Sequence, residues 1–195
     1  RRFGLRPAGT MGHSYIESKG DELEAFRRFA ASHPEGCIFL VDTYDTLRSG
    51  LPNAIRAAKE MEAAGSRLYA VRLDSGDLAY LAKQARRMLD EAGLAYVKIV
   101  ASNLLDEHVI RSLVEQGAPI DLFGVGTRLA TGAPDGALDG VYKLAAAGGE
   151  PRLKLSENLA KTTLPGRKKV VRCSDEAGFF QADAVALEEE GDPLR

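Results

Sequence analysis

A repeated alternation of short apolar runs with amphipathic stretches constrains this chain more than anything else in its sequence. Cys37 to Val41 (CIFLV), Leu68 to Leu73 (LYAVRL), Val97 to Ala101 (VKIVA) and Leu122 to Val125 (LFGV) are short and nearly continuous apolar runs. Runs of this kind suit parallel strands that are covered on both faces. The stretches Asp21 to Ser32, Asn53 to Ala64, Asp77 to Ala92 and Asp106 to Gln116 carry apolar residues at helical spacing, as with Leu78, Leu81, Ala85, Met88 and Leu89. Their ends agree with that reading. Asp21, Asp77 and Asp106 stand where an N-cap side chain accepts a backbone N–H, and Gly65, Gly93 and Gly117 stand where a helix ends in a left-handed residue. Strand–helix units in series call for right-handed crossovers and a parallel sheet, so the expected fold class is α/β.

After Thr131 the character changes. Gly and Ala become frequent, and short strand-like pieces follow at Val141 to Leu144, Leu153 to Leu155 and Lys169 to Arg172, the last two separated by a basic segment, Lys161 to Lys169. The acidic tail from Leu187 to Arg195 is expected to fray. We therefore expect an α/β body over 1–140 and a β-rich C-terminal appendage over 141–195.

Composition narrows the function classes. The chain has 195 residues, enough for one domain or slightly more with a sizeable core. With 26 Lys+Arg against 28 Asp+Glu, the net charge of -2 lacks the basic footprint of a nucleic-acid binder. No apolar run approaches the ~20 residues that cross a bilayer, and Arg1-Arg2-Phe3 does not open a signal peptide. Cys37 and Cys173 are far apart and form neither a disulfide framework nor a zinc ribbon, which points to a reducing cytosol. Residue 1 is not Met, and Phe3-Gly4-Leu5 reads as a helix tail turning into a strand, so processing or a missing upstream segment is expected.

Function in a parallel α/β fold collects where strands end, because loops and helix N-termini converge there. Five successive strand ends carry small, hydroxylated or acidic residues. These are Gly9-Thr10-Met11-Gly12-His13-Ser14, Asp42-Thr43-Tyr44-Asp45, Arg72-Leu73-Asp74-Ser75-Gly76-Asp77, Ser102-Asn103 and Gly124-Val125-Gly126-Thr127. Glycines that leave backbone N–H groups open suit phosphate, and Thr127 adds a hydroxyl. The pairs Asp42/Asp45 and Asp74/Asp77 suit sugar hydroxyls or magnesium-bound water; helix capping is the other reading, and Asp77 fits it best. Arg72 suits a phosphate or carboxylate through bidentate hydrogen bonds, or else an ion pair with a nearby aspartate. His13, between Gly12 and Ser14, is free of crowding; His33 reads as a surface turn and His108 as an early helix residue. Three scattered histidines make no zinc constellation. The basic segment reads as a solvated loop or as a lid over a polyphosphate.

GTMGHS, FLVDTYDT, RLDSGDL, FGVGTRLAT, YKL and KLSENLAKTTLPGRKKVVR, in this order, resemble the nicotinate phosphoribosyltransferases over nearly the whole chain. The resemblance implies a type II phosphoribosyltransferase fold, a TIM-like but irregular α/β barrel beside a smaller domain built from both chain ends. It implies joining of nicotinate to 5-phosphoribosyl 1-diphosphate, with nicotinate mononucleotide and pyrophosphate as products, ATP hydrolysis coupled to the step, and magnesium required. By motif, His13 matches the histidine that ATP phosphorylates, and Thr10 and Arg72 match residues that hold nicotinate, Arg72 against its carboxylate. Asp42, Asp45 and Asp74 match acidic residues around ribose and magnesium, with Asp42 and Asp74 reaching the metal through water. Gly124, Gly126 and Thr127 match the phosphate loop, and Ser14, Ser75, Ser102 and Asn103 complete the substrate-binding set.

Two departures qualify the match. Gly12 stands where many relatives carry Ala. The chain also starts just before the GTMGHS strand, without the first barrel elements and an aromatic that stacks on the pyridine. Since a partner subunit in a homodimer also completes the family's site, the 195-residue chain alone is expected to be inactive or nearly so. Two other readings stay open: a type II phosphoribosyltransferase for nicotinamide or quinolinate, and a non-catalytic module that binds phosphoribosyl ligands.

Overall fold

The computed structural model describes residues 9–131, 136, 142–153 and 164–191. A parallel four-stranded sheet carries the body, with β1 (Ile38–Leu40), β2 (Ala70–Leu73), β3 (Lys98–Ser102) and β4 (Leu122–Gly124) adjacent in chain order. Every neighbouring pair is parallel. Sequential order without a reversal is what a barrel wall requires, whereas a doubly wound sheet reverses direction at a switch point. Each strand lies inside an apolar run identified above or within one residue of it. The helices α2 (Glu22–Ser32), α3 (Leu51–Ala63), α4 (Leu78–Glu91) and α5 (Glu107–Glu115) likewise fall where the spacing places them.

The caps explain those limits. Asp21, Asp77 and Asp106 each accept a hydrogen bond from a first-turn backbone N–H, and Gly65, Gly93 and Gly117 have left-handed φ just past the helix ends. One face of the sheet, with Phe39, Val41, Val71, Leu73, Ile99 and Ala101, is fully buried. Phe26 of α2 stacks on Phe39 with ring centroids 4.6 Å apart, which fixes that helix to the sheet. Among the described residues, no helix is long and apolar enough to cross a membrane.

Three elements depart from expectation. His13 begins a seven-residue helix, α1 (His13–Lys19), which the apolar spacing does not predict. Its N-cap Gly12 offers no side chain, so nothing in the sequence announces the start. A five-residue π-helical turn, Thr46–Gly50, joins Asp45 to α3. A short helix, α6 (Thr127–Ala130), follows β4.

The C-terminal region is β-rich as expected, but its strands differ. Tyr142 to Leu144 form no strand; β5 (Ala146–Ala147) pairs antiparallel with β6 (Glu150–Pro151) instead. Leu153 is not in a strand, and Val141 and residues 154–155 lie outside the described residues, as do 161–163 of the basic segment and the expected strand before Gly9. The piece at Lys169 to Arg172 is the middle of β7 (Lys168–Ser174), which pairs antiparallel with β8 (Phe180–Leu187). Leu187, read as the start of a fraying tail, is thus the end of a strand.

Glu22 shows how helices and turn are locked together. Although 4% exposed, its carboxylate accepts hydrogen bonds from the Ser49 hydroxyl and from Asn53 Nδ2 (2.9 Å), tying α2 to the π-turn and to α3. Burial pushes its pKa up, more than the Ser49 and Asn53 hydrogen bonds pull it down. A carboxyl whose folded pKa is raised binds more protons folded than unfolded, so it lowers stability as pH rises past its ordinary value near 4.5. Glu22→Gln should therefore raise the thermal midpoint by a few degrees at pH 7, and the gain should shrink towards pH 4. Calorimetry at the two pH values checks this.

Candidate active site

Strand register builds the site. Leu40, Arg72, Val100 and Leu122 form one cross-strand row, because Leu40 pairs with Arg72, Arg72 with Val100 and Val100 with Leu122. Side chains alternate faces along a strand, so the residues two further on share that face. Those residues are Asp42, Asp74, Ser102 and Gly124. The face opposite the buried wall therefore ends in two carboxylates, a hydroxyl and a glycine, with Arg72 one step below. An alanine at Gly124 would put its Cβ 3.2 Å from the Ser102 Cβ, so the glycine keeps room for the serine.

Hydrogen bonds connect this row. Arg72 donates from Nη2 to Asp74 Oδ1 at 2.6 Å and from Nε to Ser102 Oγ at 2.7 Å. Ser102 in turn donates to Asp74 Oδ1 at 2.5 Å. The guanidinium is thus held in one plane by two partners, with its side chain still 25% exposed. The Asp74 backbone N–H donates to Asp42 Oδ2 at 3.0 Å, and the Ser75 hydroxyl donates to the same oxygen. Asp42 is almost completely buried, and its Oδ1 is a buried acceptor with no hydrogen-bond partner among the described residues.

His13 enters from α1. Its Nδ1 lies 3.1 Å from the Thr43 hydroxyl, while Nε2 lies 3.6 Å from Asp74 Oδ2 and 4.0 Å from Asp42 Oδ1. Burial alone would raise the Asp74 carboxyl. Hydrogen bonds from His13 and Ser102, with the charge and hydrogen bond of Arg72, outweigh it and hold Asp74 well below the usual carboxylate range. These contacts favour the ionised form of Asp74, shared by a guanidinium and an imidazole.

The structure therefore brings together His13, Asp42, Arg72, Asp74, Ser75 and Ser102, with Gly124 beside Ser102. Other residues singled out above are placed differently. Thr10 donates to the Ile38 carbonyl at 2.7 Å, beside β1. Ser14 is exposed on α1. Asp45 caps the π-turn, accepting from the N–H groups of Leu47 (3.1 Å) and Arg48 (2.8 Å), so its Oδ1 serves the backbone as Asp77 Oδ1 does for Tyr80. The two D-x-x-D segments thus have the same division of labour: the first aspartate enters the cluster and the second caps the next helical turn. Asn103 has a left-handed φ of 81° immediately after β3, and Leu104 follows at 50°. Gly126 is the N-cap of α6 and Thr127 its first residue, exposed, three positions beyond Gly124.

Thr43 is the member that sequence reading missed. It stands in the DTYD segment between two aspartates, and nothing local shows that its hydroxyl meets a ring thirty positions away. Among the described residues, no group of three or more His, Cys, Asp or Glu side chains could hold a metal ion unaided.

No protein-family model matches the chain. A Bacillus subtilis protein named nicotinate phosphoribosyltransferase is 49% identical over 197 residues, covering 97% of this chain and 39% of that protein. The crystal structure of human nicotinic acid phosphoribosyltransferase superposes with a TM-score of 0.51 at 32% identity, over 97% of this chain and 40% of that one. A Pyrococcus furiosus structure titled nicotinate-nucleotide pyrophosphorylase gives 0.55 at 33% identity, over 97% and 45%. The chain thus spans about two-fifths of the length of the relatives it matches. Along nearly all of its own length, the chain is similar to proteins named nicotinate phosphoribosyltransferase.

Proposed function

We propose that this chain forms part of a nicotinate phosphoribosyltransferase, joining nicotinate to 5-phosphoribosyl 1-diphosphate and releasing pyrophosphate, as a step in cytoplasmic NAD biosynthesis. The observation that carries this reading is the continuous network from His13 through Asp74 to Arg72 and Ser102, at the strand ends of a homologous fold. Arg72, fixed on one side by Asp74 and Ser102, turns its remaining N–H groups outward to meet the nicotinate carboxylate. Asp42 and Asp74 face the sugar and its diphosphate. Departure of pyrophosphate leaves oxocarbenium character at the anomeric carbon, which nearby carboxylates stabilise, so the chain's part is positioning and charge rather than a nucleophilic attack on the sugar. The Gly124–Thr127 segment supplies N–H groups and a hydroxyl to a phosphate at the adjacent strand end.

Magnesium suits this donor set. Two carboxylates with no third among the described residues, one of them holding a buried oxygen without a hydrogen-bond partner there, match an ion that takes its other ligands from water and substrate phosphate. When bound, magnesium would neutralise charge on the diphosphate. ATP would serve as phosphoryl donor to a His13 ring nitrogen, with the phosphorus–nitrogen bond forming as the bond to ADP breaks. The division near 140/141 and assembly as a homodimer belong to the same reading.

A chimera tests it. This chain replaces the matching stretch of the Bacillus subtilis relative, and formation of the corresponding mononucleotide and pyrophosphate is measured with nicotinate, nicotinamide or quinolinate as the base. Turnover with nicotinate, and a KM for nicotinate raised on the order of 10- to 100-fold by Arg72→Ala, is expected, since a hydrogen bond to a charged group is worth roughly 1.5–3 kcal/mol. Preference for another base, or phosphoribosyl diphosphate binding without turnover, would count against it.

A further inference from the structure

Thr43 is fully buried, and its hydroxyl partners the His13 ring at Nδ1. Packing does not explain that hydroxyl, because valine has nearly the same shape and avoids the cost of burying a polar group. The opposite ring nitrogen faces two carboxylate oxygens, Asp74 Oδ2 at 3.6 Å and Asp42 Oδ1 at 4.0 Å. Ionised carboxylates only accept, so the ring nitrogen turned towards them carries the hydrogen. Nδ1 is then the nitrogen with the lone pair, and the Thr43 hydroxyl is the donor to it.

We propose that Thr43 is a positioning residue that fixes the tautomer and orientation of His13. With the carboxylates on one nitrogen and the hydroxyl on the other, the ring has neither rotational nor tautomeric freedom. Thr43 thus guards the electron pair of the imidazole until a reaction partner displaces it. The proposal deepens the reading of His13 as the reactive imidazole and rests on that reading only for its catalytic consequence.

Ring nitrogen NMR on the ¹⁵N-histidine-labelled chain tests the geometry directly, with only three histidines to assign. In the wild-type chain His13 should show a hydrogen on Nε2 and a hydrogen-bonded lone pair at Nδ1. Thr43→Val should mix the tautomers and move both nitrogen shifts, and Thr43→Ser should restore the wild-type pattern. A hydrogen on Nδ1 in the wild-type chain overturns the proposal whether or not the valine variant folds. Unchanged shifts in a folded valine variant overturn it equally. In the chimera, Thr43→Val should lower kcat on the order of 10-fold with KM little changed, the scale seen when a group orienting a functional histidine is removed. Thr43→Ser should recover most of that loss. An inactive wild-type chimera would count against the proposed function, while the NMR result would still decide the role of Thr43.

Discussion

Replacing Gly50 with alanine should lower the thermal midpoint of the chain by on the order of 10 °C and disorganise the site from behind. A Cβ at Gly50 would sit 1.8 Å from the Val41 carbonyl oxygen and 2.6 Å from its carbon. The obstacle is backbone, so no rotamer change relieves it. Extra methylenes in a packed core cost about 1–3 kcal/mol when side chains can yield, and here the strand itself must move. In a chain of this size each 1 kcal/mol shifts the midpoint by roughly 2–4 °C. The segment that has to shift carries Asp42 and Thr43, so the His13 ring signals should change in whatever fraction remains folded. A midpoint within a degree or two of wild type would show that the π-turn and the end of β1 do not press together as described.

Asp74→Asn should have the largest effect on chemistry. One carboxylate receives Arg72 and Ser102 on Oδ1 and faces His13 with Oδ2, so removing its charge strands the guanidinium and releases the imidazole together. Breaking a fully buried ion pair from one side costs ~3–5 kcal/mol; these side chains, 25% and 22% exposed, should lose about half that. In the chimera we expect turnover to fall at least about 100-fold, as when a histidine loses the anion that orients it. The sign of the pH effect follows from the depressed pKa. Below its ordinary value near 3.8, Asp74 binds more protons unfolded than folded, so its stabilisation is complete above that value and is lost as the pH falls. The wild-type chain should therefore lose stability more steeply than Asp74→Asn on acidification below pH 4. Parallel acid titrations of the two would show no difference in slope if Asp74 were not held ionised.

Much of this was legible in the sequence, for identifiable reasons. Strand and helix positions in the body follow from apolar period and from caps such as Asp21, Asp77 and Asp106, all local signals. The proximity of Asp42, Arg72, Asp74 and Ser102 could be anticipated because parallel strands bring their ends to one rim. Contacts made from outside the strand ladder could not be read. Thr43 looks like any turn threonine until α1 brings His13 over it. Asp45 and Asp77 follow their partners at the same spacing, and a cap needs the same acceptor as a sugar ligand does, so residue type did not separate them. β8 stayed hidden because only Ala186 among its residues is buried, leaving no clear inside face in its sequence. The helix α1 is too short for its period to show.

Because the polar row of Asp42, Asp74, Ser102 and Gly124 is simply the next tier of a strand ladder, it has no independent existence. Sliding β2 by one position would turn Arg72 and Asp74 into the helix-covered wall and present Val71 and Leu73 in their place. Assembly of the candidate site is therefore switch-like, complete when the ladder is in register and absent otherwise, and partially ordered forms of the chain should hold no fraction of the network.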